Sequence, residues 1–503
     1  MSGFVVGFGQ PDRQEFTPMF RKIAHRGPYL SGIREHRQLL IGQNYLKAES
    51  ASARRAHPVP VTRGDLSIAC DAQIGNLPTL AHNGDNNKEP FRQERVLLDL
   101  YQRDGAEMLD ALDDAIFAFV ISDGDHLFAA RDLLGIKTLF YGWKGDTLYL
   151  ASELKSLLPV TSQVYEFPPG HWMDQDGNLS QFATLSAFST SPEHQEVDHI
   201  CRQIRDIIER SVQQRVTFAE PTACLLSGGM DSSVISSVAS HLFEEKFGTQ
   251  AQLPTFAIGL GESTDIQNAR IMAEHINAHH HELLVSREQV LEVLSEVIYY
   301  LESFDPSLVR SAASNFLISR YAGQQGVQVL LSGEGGDEVF CGYSYLKDLP
   351  PESLPQEQLI CLGYLHNNAA LRLDRMNLCH SLQVVAPLIS GELLRYALQI
   401  PPEYKVKTEG ERKIEKWIFR KAFEEVLPEA ITWRTKQEFS QGSGSANFLP
   451  GYFEDRFTDA EFADAQAQFP ILRSKEELFY FRLFTHHFGT DLAVQTVGQW
   501  IAL

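Results

Sequence analysis

A chain of 503 residues, 43% hydrophobic and 22% charged, has room for two or more domains with sizeable cores. Its formal net charge of −21 argues against a nucleic-acid partner, so any phosphate site must be built locally. The six cysteines lack C-x-x-C spacing, no stretch reaches the ~18–20 apolar residues of a membrane helix, and the N-terminus has no basic leader; a cytoplasmic protein with reduced thiols and no membrane partner is expected.

Taken in order, segments 4–8, 39–41, 66–70, 115–122, 127–130, 138–141 and 147–151 predict strands, and 93–102 has helical spacing. Asp123-Gly124-Asp125 and segment 142–146 read as hairpin turns. Residues 1–190 are therefore expected to form a mixed domain dominated by antiparallel sheet, closed by a turn-rich linker at 186–196. From 197 the texture changes. Helices predicted at 197–214, 232–247, 266–278, 287–302 and 311–321 alternate with strands ending near 226, 260, 285 and 331. That alternation predicts a doubly wound parallel sheet over 197–503, with a mainly helical cap beyond 350. His279-His280-His281 lies between a predicted helix and strand; three consecutive residues rarely face one ion, so the run reads as structural.

Two turns carry the chemistry. The apolar run Cys224-Leu225-Leu226 breaks into Ser227-Gly228-Gly229-Met230-Asp231-Ser232-Ser233 and resumes as a helix. Glycines let backbone N–H groups face an oxyanion, and the helix adds its positive N-terminal end. Asp231 would repel a bare phosphate, so a divalent cation between them is expected. Ser332-Gly333-Glu334-Gly335-Gly336-Asp337-Glu338 repeats the pattern after a second strand. Asp231 and Asp337 could then share Mg²⁺ bridging a triphosphate. No G-x-x-x-x-G-K-[ST] is present, so a lysine must come from elsewhere; Lys436, in Arg434-Thr435-Lys436-Gln437-Glu438-Phe439, is the candidate.

These turns, with His25-Arg26-Gly27-Pro28, Ala130-Arg131-Asp132-Leu133-Leu134-Gly135-Ile136-Lys137 and Ala151-Ser152-Glu153-Leu154-Lys155, resemble the glutamine-dependent asparagine synthetases along nearly the whole chain. The resemblance implies an α/β two-domain protein: an N-terminal-nucleophile hydrolase-like αββα sandwich, and an ATP-pyrophosphatase (PP-loop) domain that adenylates a carboxylate. It implies ATP and Mg²⁺ as cofactors. Leu226, Ser227, Gly228, Gly229, Asp231, Ser232, Ile258, Gly259, Ser332 and Gly333 are the implied ATP contacts, and Asp231 and Asp337 the metal ligands. Lys436 and Glu334 are the implied catalytic pair, as charge stabiliser and general base. Arg310, Glu334 and Glu338 are the implied substrate contacts, with Asp265 in a supporting place.

Several positions depart from the family pattern. Ser2 stands where the family has its nucleophilic cysteine. Tyr45 replaces a pocket arginine, Asp71-Ala72-Gln73-Ile74-Gly75-Asn76 replaces N-G-E-x-x-N, and Gln93 replaces the aspartate that holds glutamine. A pocket that pairs the charged ends of glutamine cannot lose these groups and still bind tightly, so an inactive glutaminase is expected. The family's E-x-R-x-P-F-L-D reads Gln383-Val384-Val385-Ala386-Pro387-Leu388-Ile389-Ser390, and Leu308 replaces a threonine near Arg310. Loss of charged groups argues against aspartate as substrate.

Such an enzyme needs another nitrogen source. The resemblance offers β-lactam synthetases, enzymes of antibiotic biosynthesis whose substrate supplies its own amine. Retention of Glu334 points to the tabtoxin type. An ammonia-dependent intermolecular ligase and a non-catalytic regulatory relic stay open. The expected partner is a small amino-acid-like substrate; a homodimer is allowed without being specified.

Overall fold

The computed structural model describes residues 2–46, 59–80, 91–188 and 196–500. Most of the expected linker, 189–195, lies outside the described residues. The chain divides into two compact units, residues 1–187 with 488–496 and residues 188–487 with 497–503.

The first unit stacks two six-stranded antiparallel sheets. Its elements in chain order begin with β1 (Ser2–Phe8), α1 (Arg13–Arg21), β2 (Leu30–His36), β3 (Leu39–Tyr45), β4 (Val61–Arg63), β5 (Leu66–Ile74) and α2 (Arg92–Asp104). They continue through β6 (Ala115–Ser122), β7 (Leu127–Arg131), β8 (Phe140–Lys144), β9 (Thr147–Ala151), β10 (Val164–Glu166), β11 (His171–Asp174) and β12 (Leu179–Gln181). One sheet runs β10-β8-β9-β1-β3-β2 and the other β12-β11-β7-β6-β5-β4.

Strand alternation sends Phe4, Val6, Ile41, Leu148 and Leu150 inward against Ala69, Ala118, Val120 and Ala129 of the facing sheet. The opposite side of the second sheet is covered by Val96, Leu97 and Leu100 of α2. Phe16 and Phe20 of α1 cover the first sheet over Gly42. The layers are thus αββα. Helix α1 was absent from the sequence reading because Pro18 sits inside it; strands β2, β4 and β10 to β12 are too short or too weakly alternating to stand out. A one-turn helix at Leu492–Thr496 packs on β10, so the chain's penultimate segment belongs to the first unit.

The second unit holds a five-stranded sheet. The elements that position its site are α3 (Val197–Arg215), β13 (Thr222–Leu225), α4 (Met230–Phe247), β14 (Pro254–Leu260), α5 (Thr264–His275), β15 (His279–Val285), α6 (Arg287–Leu301), α7 (Pro306–Gln324), β16 (Val329–Leu331), α8 (Ala369–Leu378), β17 (Gln383–Val385) and α9 (Trp417–Phe423), with further helices and a two-stranded hairpin beyond residue 335. All pairings are parallel and the order is β15-β14-β13-β16-β17. The winding direction reverses between β13 and β16, so the crevice at their carboxyl ends is the expected ligand site of such a sheet. The histidine run lies within β15, where His281 stacks on Phe256 at 4.6 Å and His280 hydrogen-bonds Thr255 at 2.9 Å. Among the described residues no helix is long and apolar enough to cross a membrane.

Candidate active site

Both glycine-rich turns open from that reversal point. After β13 the chain turns through Leu226–Gly229 into the N-terminus of α4. Gly228 has φ +68°, and a Cβ there would come within 2.4 Å of the Asn268 backbone, so only glycine fits. Its carbonyl accepts a 2.9 Å hydrogen bond from Arg434, which ties the turn to the segment carrying Lys436. Ser227 and Ser232 face each other at 3.0 Å between their hydroxyls, and the Gly229 N–H donates to Ser227 Oγ at 3.2 Å. The second turn follows β16, with Ser332 N–H donating to the Val385 carbonyl at 2.9 Å.

Between the turns sit two carboxylates and two ammonium groups. Lys416 Nζ lies 2.7 and 2.6 Å from the two Asp231 oxygens and 2.7 Å from Asp337 Oδ1. Lys436 Nζ donates to Asp337 Oδ2 at 2.6 Å. Burial alone would raise the Asp337 pKa, but Lys416 and Lys436 outweigh it and hold this carboxyl far below its usual range. Burial likewise works against the Lys436 charge, and Asp337 with Asp231 more than offsets it, lifting its pKa above the ordinary lysine value.

Mg²⁺ fits this donor set. Two hard carboxylate ligands are what Mg²⁺ commonly takes from protein when substrate phosphates complete its shell. Asp231 and Asp337 both reach the single Lys416 ammonium, so the two carboxylates lie close enough together to share one cation. No group of three or more His, Cys, Asp or Glu suited to a metal occurs among the described residues, so a wholly protein-made cage is absent there.

The cavity in front of the cluster is lined by Leu226, Ser227, Gly229, Asp231, Ser232, Ile258, Ser332, Gly333, Glu334, Asp337 and Lys436. Gly228, in the first turn, and Gly259, near the end of β14, are not among the lining residues. Asp265 also lines it; burial pushes its carboxyl up to about 7, against the pull of Arg434 and Lys436.

Arg310 is placed differently from its expected role. It lies off the cavity wall, and its guanidinium forks onto Glu476 at 2.6 to 3.2 Å. Arg372 lines the cavity, together with Arg420 and Arg434. It is paired with Glu334, rests 5.2 Å from the Phe439 ring centre, and has a buried Nε without a hydrogen-bond partner. Glu338 lies behind the wall, accepting from the Tyr343 hydroxyl at 2.7 Å, and burial together with Asp337 pushes it up to about 7. Segment 383–390 supplies no lining residue: it forms β17 and the Ser390 helix cap. The expectation that its altered residues set substrate choice therefore loses its geometric footing.

In the first unit, Ser2 is buried on β1, its N–H 3.2 Å from Asp71 Oδ1 and its hydroxyl bonded to the Cys70 carbonyl. Fully buried Arg26 bonds the Ser2 carbonyl, Asp71 and Glu153 at 3.1, 2.9 and 2.9 Å. Lys137 lies 3.3 Å from Asp71. Tyr45 packs its ring 4.8 Å from Phe91, and Gln93 accepts from the Ile74 N–H at 3.1 Å.

Both units match known protein families. Residues 1–175 fit a glutamine amidotransferase domain, and residues 203–359 and 347–496 fit asparagine synthase. The chain is 32% identical to a probable glutamine-hydrolyzing asparagine synthetase of Schizosaccharomyces pombe, covering 97% of this chain and 94% of that protein. It belongs to the asparagine synthetase family. Asparagine synthetase B of Escherichia coli is 31% identical over 96% of this chain and 90% of its own length. A glutamine-hydrolyzing asparagine synthetase of Zea mays is 30% identical over 98% and 86%.

Two residues of this family member escaped the sequence reading. Lys416 precedes α9, where a search for the missing lysine confined to 434–440 could not meet it. Two carboxylates flanked by only one lysine was the available signal. Arg372 sits inside a buried helix, α8, and reads from sequence as an ordinary helical arginine.

Proposed function

We propose that the second unit is an ATP-dependent amide ligase that adenylates a substrate carboxylate, releases pyrophosphate, and closes the amide with an amine carried by the same substrate, as in β-lactam ring formation. The observation that supports ATP-dependent ligation is the pairing of two glycine-rich turns with Asp231, Asp337, Lys416 and Lys436 at the reversal point of the sheet.

In this reading the turn N–H groups and the α4 N-terminus seat the polyphosphate. Asp231 and Asp337 are the residues that would hold Mg²⁺, which when bound would supply positive charge against the polyphosphate. The substrate carboxylate oxygen attacks the α-phosphorus, and pyrophosphate leaves with Lys436 neutralising the growing charge. Lys436 then faces the tetrahedral oxyanion formed when the amine nitrogen attacks the acyl carbon. Glu334 takes the proton from that nitrogen as AMP departs with the bonding pair. Arg372, which lines the cavity, would meet the anionic end of a small amino-acid-like substrate, the part expected of Arg310. An amine already within reach replaces ammonia through effective molarities on the order of 10⁵ M.

The nitrogen source is read from the first unit. With Ser2 in place of a thiol, and Arg26 engaged by Asp71 and Glu153, the pocket lacks the groups that would hold glutamine's charged ends. Glutamine hydrolysis is expected to be undetectable; turnover that disappears in Ser2→Ala would reverse that reading.

The deciding assay is pyrophosphate release from ATP. Release should depend on a β- or δ-amino acid carrying its own amine. Efficient formation of asparagine from aspartate, ATP and ammonium would instead make the protein an intermolecular ligase.

A further inference from the structure

The geometry points to Lys416 as an internal counter-ion that keeps divalent metal off Asp231 and Asp337 until a nucleotide polyphosphate arrives. Its ammonium touches three of the four carboxylate oxygens of this pair, at 2.6 to 2.7 Å, and Lys436 covers the fourth. With two carboxylates and two ammonium groups the cluster sums to zero charge. Adding a bare divalent cation would leave a half-buried site at +2, whereas a cation arriving with a triphosphate brings its own compensation.

The placement of Lys416 is built into the backbone. The residue is 1% exposed and holds φ +53° ahead of α9, a conformation uncommon for a side-chain-bearing residue. Its stem passes through a space that exists because position 342 is glycine: a Cβ on Gly342 would lie 1.9 Å from Lys416 Cε. A surface lysine swinging in from solvent would need neither feature. The consequence is ordered loading, in which metal and nucleotide raise each other's affinity by the same factor.

The test uses full-length protein and Mn²⁺, whose free concentration is read by electron paramagnetic resonance, with no acceptor substrate and no turnover. Wild-type protein should bind Mn²⁺ weakly alone, and roughly 5–150-fold more tightly with β,γ-methylene-ATP. Lys416→Met, checked for folding by circular dichroism, should bind Mn²⁺ without nucleotide about tenfold or more tightly than wild type. Lys416→Arg keeps the charge and should stay close to wild type. Equal Mn²⁺ affinity with and without the analogue in wild-type protein overturns the proposal, and so does a folded Lys416→Met that gains no affinity. Should Lys416→Met not fold, Lys416→Gln, measured in the same way without nucleotide, decides. Because nothing is turned over, these outcomes are independent of which amide the enzyme makes.

Discussion

At the scale of single residues, the strongest demands fall on Lys436 and Glu338. Lys436 faces Asp337 and, in the proposed reaction, the developing phosphate charge, so Lys436→Met should lower kcat by roughly 10²–10³-fold. Nucleotide affinity should change far less, and a split between kcat and the KM for ATP separates this role from mere folding. Glu338 makes a prediction about pH. Its folded pKa, raised to about 7 by burial and Asp337, lies above its ordinary value. Its favourable contribution is therefore complete below the unfolded pKa and disappears as pH rises through 7. Glu338→Gln mimics the protonated form, so its thermal midpoint relative to wild type should climb between pH 5 and pH 8. The difference should amount to about 3 kcal/mol at most. A flat difference across that range would place the titration elsewhere.

At the scale of elements, the turn between β13 and α4 is the sensitive one. Gly228→Ala adds a Cβ at positive φ against the Asn268 backbone, so nucleotide affinity should fall by roughly tenfold or more. Isothermal titration with a non-hydrolysable ATP analogue measures it. This turn was also the most legible part of the chain. Strand, glycine turn and helix follow one another locally, and their residue types announce both geometry and ligand. β14 and β16 were legible for the same reason, being apolar runs between helices. β17 was not: its three residues carry no alternation, and the strand exists because Gln383–Val385 pairs with Val329–Leu331, far away in sequence. The same limit explains Lys416 and Arg310. Which cation meets which carboxylate is decided by tertiary approach, and Glu476, the partner that occupies Arg310, is 166 residues distant.

At the scale of the whole molecule, the chain does not run simply from one unit to the next. Residues 488–496 belong to the first unit, and Trp500 belongs to the second, where it lines the cavity and packs 5.4 Å from the Tyr343 ring. Its backbone N–H donates to Asp305 at 3.0 Å, and its carbonyl accepts from Arg473 at 2.8 Å. Truncation after His487 should thus lower the unfolding midpoints of both units in scanning calorimetry. A chain whose units were consecutive would lose stability in one transition alone.

The buried charges around Ser2 bear on whether the proposed loss of glutamine hydrolysis could be reversed. Arg26 and Lys137 both lean on Asp71, and Arg26 also holds Glu153. Converting Asp71 to a neutral residue leaves two cations with one carboxylate fewer, a loss of about 3–5 kcal/mol for a broken buried pair. Introducing a thiol alone, in Ser2→Cys, supplies a nucleophile but none of the contacts that would hold an amino acid in front of it. Each single step toward a glutamine-cleaving pocket is thus either costly or idle, and only several exchanges made together could cross the gap. If the first unit is inactive as proposed, this network makes a return to glutamine hydrolysis costly.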